Sequence, residues 1–248
     1  MNIILNGAAG RMGHILTDMI ESEADLTLAA RVDRNAGPDS GCLAALTEYS
    51  GPADVLIDFS NHAATADVMD YCAARRLPAV IATTGQTEAE LALIRGAAET
   101  IPVFLSANMS IGVALLAELA KKAAAVFPEA DIEIIERHHN QKLDVPGGTA
   151  LLRARRVKEV RPEAEFVIGR HENGKRAPQE IGIHSLRYGG EVGTHEIIIA
   201  AGSETITLKH EAENRALFAR GALAAARFLP GRAPGLYDMR HIIAQEGA

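Results

Sequence analysis

The stretch "NIILNGAAGRMGHI" (residues 2–15) places Gly7, Gly10 and Gly13 between an apolar run and the start of a helical pattern. Glycines at a sharp strand-to-helix turn let the backbone approach a pyrophosphate closely. The first N–H groups of the helix then face the anion, and Arg11 adds a full positive charge. Ala8 stands where the strict dinucleotide-binding fingerprint has its first glycine. The stretch therefore predicts the first βα unit of a parallel sheet, and a tight turn that binds nothing is the alternative.

The second apolar run ends in "RVDRN" (residues 31–35), which places an acid and a base side by side. Asp33 lies where an acid accepts hydrogen bonds from an adenosine ribose, whereas Arg34 could meet a 2′-phosphate. Having both residues adjacent predicts tolerance of NADH and NADPH. A solvated surface arginine is the alternative for Arg34.

The first hundred residues alternate apolar runs with helical patterns. Runs such as "DVLIDFS" and "PAVIATTG" lack polar alternation, so helices should cover both faces of the sheet. We therefore predict an α/β fold with a Rossmann-type doubly wound parallel sheet. Ligands of such sheets bind at the carboxyl ends of the strands, where Thr83, Thr84 and Asn108 lie. The alternative for the threonines is an ordinary turn into a helix capped by Thr87.

The pattern changes after Ala107. One long helix is predicted over residues 110–127, with Ser110 as its cap and with Leu115, Leu116 and Leu119 on its apolar side. An alternating strand follows in "ADIEIIERHH", and three strand-like runs come later in close succession. This order predicts a second α+β domain with an open mixed sheet.

The C-terminal segment returns to a helical pattern. We expect two domains. The first spans residues 1–107, is completed by residues 214–248 and binds the dinucleotide. The second, residues 108–213, binds the substrate and forms the oligomer.

The stretch "IERHHNQKLDVPGGTA" (residues 135–150) holds a mixture of residues that folding alone does not require. His138 and His139 follow a strand, and Lys142 can donate three hydrogen bonds. Gly148 and Thr149 open a helix whose N–H groups should point outward. These features predict an anion hole beside an imidazole that can move a proton near neutral pH. A metal site is one alternative, but adjacent histidines seldom point at one metal and the loop offers no convincing third ligand, so no metal is expected. A solvated polar loop is the other alternative.

Composition narrows the class of protein. Hydrophobic residues make up 48% and charged residues 23% of 248 residues, as in a globular protein with a real core. The net charge of −7 gives no basic face for nucleic acid, and no apolar stretch reaches membrane-spanning length. Cys42 and Cys72 lie far apart and have no metal-ligand spacing, so a reduced, cytoplasmic chain is the simpler expectation, with a disulfide as the alternative.

The motifs now support a resemblance. "EIIERHHNQKLDVPGGTA" resembles the signature of the 4-hydroxy-tetrahydrodipicolinate (dihydrodipicolinate) reductase family, E-x-x-H-H-x-x-K-x-D-x-P-S-G-T-A. The likeness extends to "GAAGRMG", "TTG", "SANMS", "SLRYGGEVGTHE" and "GLYDMRHII". It implies NADPH- or NADH-dependent reduction of a cyclic imine dicarboxylate in diaminopimelate and lysine biosynthesis. It also implies a homotetramer and closure of the two domains for hydride transfer.

The resemblance implies a role for each matching residue. His138 would be the acid–base histidine and Lys142 the proton donor. The substrate would contact His139, Gly148 and Thr149. The cofactor would contact residues of the glycine turn, the acid–base pair after the second strand, and two strand ends: Gly7, Ala8, Ala9, Gly10, Arg11, Met12, Asp33, Arg34, Ala82, Thr83, Thr84, Ser106, Ala107, Asn108 and Met109.

Three features depart from the family pattern. Gly147 replaces the serine of P-S-G-T, which removes a hydroxyl from the turn, and Met109 stands where relatives often have an aromatic residue. The helix after Thr149 is unusually basic, and we expect Arg153, Arg155 and Arg156 on a solvated or subunit-facing surface. Two other functions stay open: reduction of a different imine or keto acid on the same fold, and regulation by dinucleotide binding without turnover.

Overall fold

The computed structural model describes residues 1–246, apart from the side chains of Pro38 and Glu246. It divides the chain into two compact units. Unit 1 contains Met1–Ile111 and the chain from Ala216 onward, and unit 2 contains Gly112–Arg215.

The strands in chain order are β1 (Asn2–Asn6), β2 (Thr27–Val32), β3 (Val55–Asp58), β4 (Ala79–Ile81), β5 (Pro102–Leu105), β6 (Asp131–His138), β7 (Glu165–Ile168), β8 (Glu180–Arg187), β9 (Gly193–Ala201), β10 (Glu204–Ala212) and β11 (Gly235–Tyr237). The α-helices are α1 (Arg11–Ser22), α2 (Thr65–Arg75), α3 (Glu88–Ala97), α4 (Ile111–Val126), α5 (Gly148–Lys158), α6 (Ala216–Phe228) and α7 (Met239–Glu246).

Unit 1 is built on a parallel sheet with the strand order β11-β5-β4-β3-β1-β2. Three consecutive residues of β1, Ile3, Ile4 and Leu5, are 0% exposed. Successive side chains of a strand point to opposite faces, so both faces of this sheet are covered. Helices α2 and α3 share one buried cluster with Ile4, while α1 and α6 contact each other and the strands. The predicted Rossmann-type sheet is confirmed.

The turn between β1 and α1 depends on glycine. Gly7 has a φ of +83°, and a Cβ placed on it would lie 2.4 Å from the carbonyl oxygen of Phe59. A side chain there would be strained and would also collide with backbone. Gly10 is the N-cap of α1 in extended conformation, without a side-chain cap. No side chain of the N-cap residue therefore competes with a ligand for the N-terminal N–H groups of α1.

Unit 2 is built on a mixed sheet with the strand order β10-β9-β6-β8-β7. Strand β6 runs parallel to β8, and β9 runs antiparallel to both β6 and β10. The predicted mixed sheet of a second α+β fold is thus confirmed. Strand β7, with the sequence "EFVI", was not predicted; it pairs in parallel with β8 at one edge.

The burial of β6 alternates, with Ile132 and Ile134 buried on the core face. The core-facing residues of α4 are mostly small and include Leu116, but the prediction for its other leucines was wrong. Leu115 is 43% exposed and Leu119 is 44% exposed. This helix is apolar around much of its circumference, so periodicity could not select the side on which small alanines allow close packing.

The expected solvated position of Arg153 on α5 was also wrong. Its side chain is 0% exposed and packs within unit 2. Arg155 is exposed as expected, and Arg156 forms ion pairs with Glu118 and Glu159. Arg153 lies on the stripe of α5 that also buries Ala150, Ala154 and Val157, so its place in the helical repeat, not its charge, determines its burial.

Cys42 and Cys72 are both free thiols. No helix in residues 1–246 has the length and apolar character needed to cross a membrane.

Candidate active site

The glycine turn and the acid after β2 are joined in unit 1. The backbone N–H of Ala9 donates a hydrogen bond to Oδ2 of Asp33 over 3.0 Å, and the N–H of Asn35 donates to Oδ1 over 2.9 Å. Gly7 and Ala8 both donate to the carbonyl of Val32. These contacts fix the Asp33 carboxylate beside the turn. Two further residues that were predicted to contact the cofactor lie at the start of α1. Arg11 is exposed and Met12 is half-buried.

A cavity of about 880 Å³ opens at this edge of the sheet. Its lining includes Gly7, Gly10, Asp33 and the exposed Arg34. It therefore combines free backbone at a helix N-terminus with a carboxylate and a guanidinium, which are the groups that bind a pyrophosphate and a ribose or its phosphate.

The predicted residues after β4 have two different environments. Ala82 and Thr83 are buried, and both donate backbone hydrogen bonds to the carbonyl of Asp58. The hydroxyl of Thr83 donates to Oδ2 of Asp58 over 2.6 Å. Burial raises the pKa of Asp58, and hydrogen bonds from Ser60, Thr83 and Asn6 oppose that rise. Thr84 is exposed at the same edge, whereas Thr83 is buried.

The segment after β5 forms a compact polar turn. The hydroxyl of Ser106 donates to the carbonyl of Asn108 over 2.7 Å, and the Asn108 side chain accepts from the N–H of Ser110 over 2.9 Å. Ala107 is exposed at the tip. Met109 is buried, with its carbonyl against Gly221 of α6. The exposed part of this segment is thus the Ser106–Asn108 turn rather than the Met109 side chain.

In unit 2 the buried Glu136 is the centre of the polar contacts. Its side chain is 0% exposed and lies on the core face of β6, two residues after Ile134. Oε1 accepts from the Arg187 guanidinium over 2.7 Å and from the N–H of Gly147 over 3.1 Å. Burial alone would raise the pKa of Glu136, but hydrogen bonds from His138, Arg187 and Gly147 together hold it far below its usual value.

His138 ends β6 and is hydrogen-bonded through Nδ1 to Oε2 of Glu136. The imidazole side chain is 13% exposed. A Cβ placed on Gly193 would lie 2.9 Å from Nε2 of His138. A side chain at position 193 would therefore collide with the Nε2 edge of the imidazole, and glycine avoids this collision.

Lys142 and the N-terminus of α5 surround a carboxylate from the same loop. Nζ of Lys142 lies 2.6 Å from Oδ1 of Asp144. Hydrogen bonds from the Lys142 side chain, and to a smaller extent from the Gly148 N–H, lower the pKa of Asp144. Lys142 and the start of α5, which were predicted to form an anion hole, therefore contact the chain's own Asp144 in this structure.

The remaining predicted substrate residues lie on the same loop. Gly148 is exposed and Thr149 is half-buried at the first two positions of α5. His139 is half-buried, and its N–H donates to the carbonyl of Glu191 over 2.8 Å. Unit 2 thus brings His138, His139, Lys142, Gly148 and Thr149 into one loop region.

A second buried imidazole lies next to His138. The rings of His138 and His195 pack edge to face with centroids 5.1 Å apart. Nε2 of His195 and all three guanidinium nitrogens of Arg153 have no hydrogen-bond partner among the described residues. Burial lowers the pKa of His195 strongly, and the charge of Arg153 adds to this effect. Burial also lowers the pKa of Arg153, to about 10.

Potential ligand atoms of Glu136, His138 and His195 lie within 4.8 Å of one another, which is close enough for all three to bind one metal ion. The charge balance argues against one. Arg187 is hydrogen-bonded to Glu136, and the positive charge of Arg153 lowers the pKa of His195. Two guanidinium charges are therefore already close to this cluster. They would repel a metal cation. The hydrogen bonds of Glu136 to His138 and Arg187 fit a site for proton transfer better than a metal site.

Reasoning from the sequence missed Glu136, Arg187, Gly193 and His195. One signal was present for Glu136 and His195. Each continues the alternation of buried isoleucines on its strand, Ile132 and Ile134 on β6 and Ile197 and Ile199 on β9. A charged or polar residue at a position where the alternation predicts a buried side chain needs a hydrogen-bond or charge partner. The sequence pattern can indicate such a residue before its partner is known.

Comparisons with known proteins give matches over both units. Residues 1–109 match the family model described as dihydrodipicolinate reductase, N-terminus, and residues 112–243 match the model described as dihydrodipicolinate reductase, C-terminus. The chain is 44% identical to a 4-hydroxy-tetrahydrodipicolinate reductase of Caldanaerobacter subterraneus subsp. tengcongensis, over 98% of each chain. It is 41% identical to one of Clostridium tetani, over 96% of this chain and 95% of that one.

A solved structure is also similar. Dipicolinate-bound dihydrodipicolinate reductase from Paenisporosarcina sp. TG-14 superposes with a TM-score of 0.78 at 26% identity, covering 96% of this chain and 97% of that chain. The resemblance inferred from the sequence motifs is confirmed. The chain belongs to the dihydrodipicolinate reductase family.

Proposed function

We propose that this chain reduces 4-hydroxy-tetrahydrodipicolinate, a cyclic imine dicarboxylate, to tetrahydrodipicolinate in diaminopimelate and lysine biosynthesis. As a member of its family it is an oxidoreductase that uses NADH or NADPH. The observation that carries the proposal is the loop region of unit 2. There the His138 imidazole is hydrogen-bonded to a buried carboxylate, and Lys142 and the N-terminus of α5 contact the carboxylate of Asp144.

Unit 1 fits a dinucleotide. Gly7, Gly10 and the start of α1 leave backbone and helix N–H groups for a pyrophosphate. Asp33 and Arg34 line the same cavity and are proposed for the ribose end. Ala82, Thr84 and the Ser106–Asn108 turn are proposed for the nicotinamide side. We assign dinucleotide binding to residues 1–107, completed by residues 214–248, and substrate binding to residues 108–213.

When bound, the nicotinamide supplies the hydride. The protein's own residues bind and orient the substrate and move a proton. Lys142 and the N–H groups of Gly148 and Thr149 hold one carboxylate through charge-assisted hydrogen bonds, with His139 beside them. His138 or Lys142 then donates the proton that neutralises the anion formed by hydride addition. Positioned acid catalysis of this kind contributes roughly 10²–10⁴ in rate.

The Lys142–Asp144 pair indicates how the carboxylate is received. The Asp144 carboxylate is bound by the lysine and helped by the Gly148 N–H. A substrate carboxylate offers the same two acceptor oxygens, so it replaces Asp144 at these donors without leaving either cation or N–H unpaired.

The test is a coupled assay in which a dihydrodipicolinate synthase generates the substrate while absorbance of the reduced cofactor is followed. Oxidation that depends on the synthase supports the proposal. Oxidation with a simpler oxoacid, indifferent to the second carboxylate, would favour a different oxidoreductase. Binding of the cofactor without any turnover would favour a regulator.

His138→Ala sharpens this test. It should lower kcat by about 10²–10⁴, with little change in KM for the imine or in cofactor affinity. His171→Ala is the matched control, because His171 is exposed in a loop of the same unit. A collapse of NADPH affinity in His138→Ala would show that this loop belongs to the cofactor site instead.

We also propose that the chain forms a homotetramer in the cytoplasm through the open face of the second sheet. Leu186 is exposed there, and Ile135 and Ile198 are half-buried on the face opposite the core. Light scattering after size exclusion should give four times the mass of the 26.4 kDa chain. Leu186→Glu should shift that mass downward, whereas a monomeric parent would contradict the proposal.

A further inference from the structure

We propose that Glu136 is a positioning residue for the reaction: it fixes the His138 imidazole with its proton on Nδ1 and joins that imidazole to the turn that receives the substrate carboxylate. This inference rests on the proposed function for the chemistry that His138 performs. The hydrogen-bonding arrangement itself can be tested separately.

The first step is the chemistry of the two groups. An ionised carboxylate is only an acceptor, and the contacts of Glu136 keep it ionised at neutral pH. Its partner on His138 is Nδ1, so Nδ1 must carry the hydrogen. The neutral imidazole then has a bare Nε2, and the imidazolium carries its transferable proton on Nε2. When that proton passes to the substrate anion, the Nδ1–H bond to Glu136 remains.

The second step is the geometry that makes Glu136 more than a partner of one histidine. The same carboxylate accepts from the N–H of Gly147, the N-cap of α5. It also accepts from Arg187, which donates to the carbonyl of Asp144 over 2.7 Å. One buried side chain therefore links the His138 imidazole, the N-terminus of α5 and the loop that carries Lys142. A shift of Glu136 would move all three.

The third step is the charge around His138. Arg187 faces it from β8, His195 from β9 and Glu191 from the turn before β9, while Arg153 of α5 acts on His195. Because two of these groups are guanidinium cations, an imidazolium at position 138 depends on nearby negative charge. Glu136 is the carboxylate in hydrogen-bond contact with it, so its charge should dominate.

The experiment uses Glu136→Gln in the full-length protein. The amide oxygen of glutamine can still accept from Arg187 and Gly147, but its NH₂ group donates to Nδ1 of His138 and so forces the proton onto Nε2. Selective ¹⁵N labelling of histidine distinguishes the two tautomers by NMR. We expect Nδ1–H in the parent protein and Nε2–H in Glu136→Gln, with no substrate present.

Kinetics supply the second readout. Glu136→Gln should lower kcat by about 10²-fold or more with KM changed only a few-fold. Glu136→Asp should recover part of kcat, because it restores the charge with a shorter side chain.

Glu172→Gln is the matched control. Glu172 is an exposed carboxylate of the same unit, and its Oε1 lies 4.0 Å from Nε2 of the exposed His171. This variant should leave kcat and the tautomer of His138 unchanged. An Nε2–H tautomer of His138 in the parent protein would overturn the proposal even if Glu136→Gln failed to fold. An Nδ1–H tautomer of His138 in a folded Glu136→Gln would also overturn it.

The two proposals fail in different ways. If the parent shows no synthase-dependent oxidation of the cofactor but His138 has the Nδ1–H tautomer, the proposed function fails and the positioning of His138 stands. If turnover is normal and the tautomer is Nε2–H, the function stands and the role of Glu136 fails.

Discussion

The carboxylate of Asp33 accepts a hydrogen bond from the backbone N–H of Ala9 over 3.0 Å, which joins the acid after the second strand to the glycine turn. The next side chain, Arg34, is exposed and lines the same cavity. The turn, the acid and the base therefore face one space, with Asp33 held in place and Arg34 free of any hydrogen bond or ion pair among the described residues.

Arg34→Ala should weaken NADPH by roughly 10-fold or more and leave NADH almost unchanged, because a charge-assisted hydrogen bond to a 2′-phosphate contributes about 1.5–3 kcal/mol. Dissociation constants for both cofactors, measured by fluorescence titration, check this expectation. Arg95→Ala is the control, since Arg95 is an exposed arginine on α3 away from the cavity. Equal losses for NADH and NADPH would show that Arg34 does not contact the 2′-phosphate.

Local signals in the sequence predicted most of the fold of unit 1. The glycine turn indicated the start of α1. Uninterrupted apolar runs indicated β3, β4 and β5, because both faces of a strand in a parallel sheet are buried. Strand β7 was missed because "EFVI" is only four residues long and half-exposed at a sheet edge. A short edge strand is determined by the neighbour with which it pairs, which its own sequence does not contain.

The candidate site was predictable only where it is local. His138, Lys142, Gly148 and Thr149 lie within a dozen positions, so one motif could reveal them. Their partners are distant in sequence. Arg187 lies 51 positions from Glu136 and meets it only because β6 and β8 pair in parallel register. Strand pairing between distant segments has no local signal, and the pairing decides which polar residues meet.

Gly147→Ser should lower the KM for the imine about five-fold, because the family's serine would add one hydrogen bond to the substrate carboxylate. Gly147 is the N-cap of α5 with φ −63° and ψ 147°, a conformation that serine adopts readily. A Cβ there would lie 3.2 Å from Cε of Lys142, and the flexible lysine stem can move slightly. Steady-state kinetics in the coupled assay measure the effect.

Gly174→Ser is the control, since a Cβ on Gly174 meets nothing within 4 Å. An unchanged KM together with a small gain in thermal stability would show that the hydroxyl only caps the helix.

The buried His195 should make the protein less stable as the pH falls below about 6.5. Burial lowers the folded-state pKa of His195 from its ordinary value of 6.5, and it lowers the pKa of His210 in the same direction. The unfolded chain therefore binds protons that the folded chain does not, and stability rises with pH in this window. Each such histidine changes the free energy of unfolding by at most about 1.4 kcal/mol per pH unit.

Urea unfolding at pH 7.0 and pH 5.5 measures this dependence. His195→Gln, which cannot titrate, should lose less stability between the two values than the parent protein. His171→Gln should behave like the parent, because His171 is exposed. A parent protein whose stability did not change between pH 7.0 and 5.5 would mean that His195 is accessible to protons when folded.

Arg153→Met should stabilise unit 2. The Arg153 side chain is 0% exposed, and within residues 1–246 its guanidinium nitrogens have no hydrogen-bond partner. A buried charge without partners costs free energy that an unbranched apolar side chain avoids. The gain should be roughly 1–4 kcal/mol in the free energy of unfolding, measured in guanidinium chloride. Arg155→Met, on the exposed face of the same helix, should change stability by less than about 0.5 kcal/mol. A loss of stability in Arg153→Met would mean that this guanidinium has buried water or an anion as its partner.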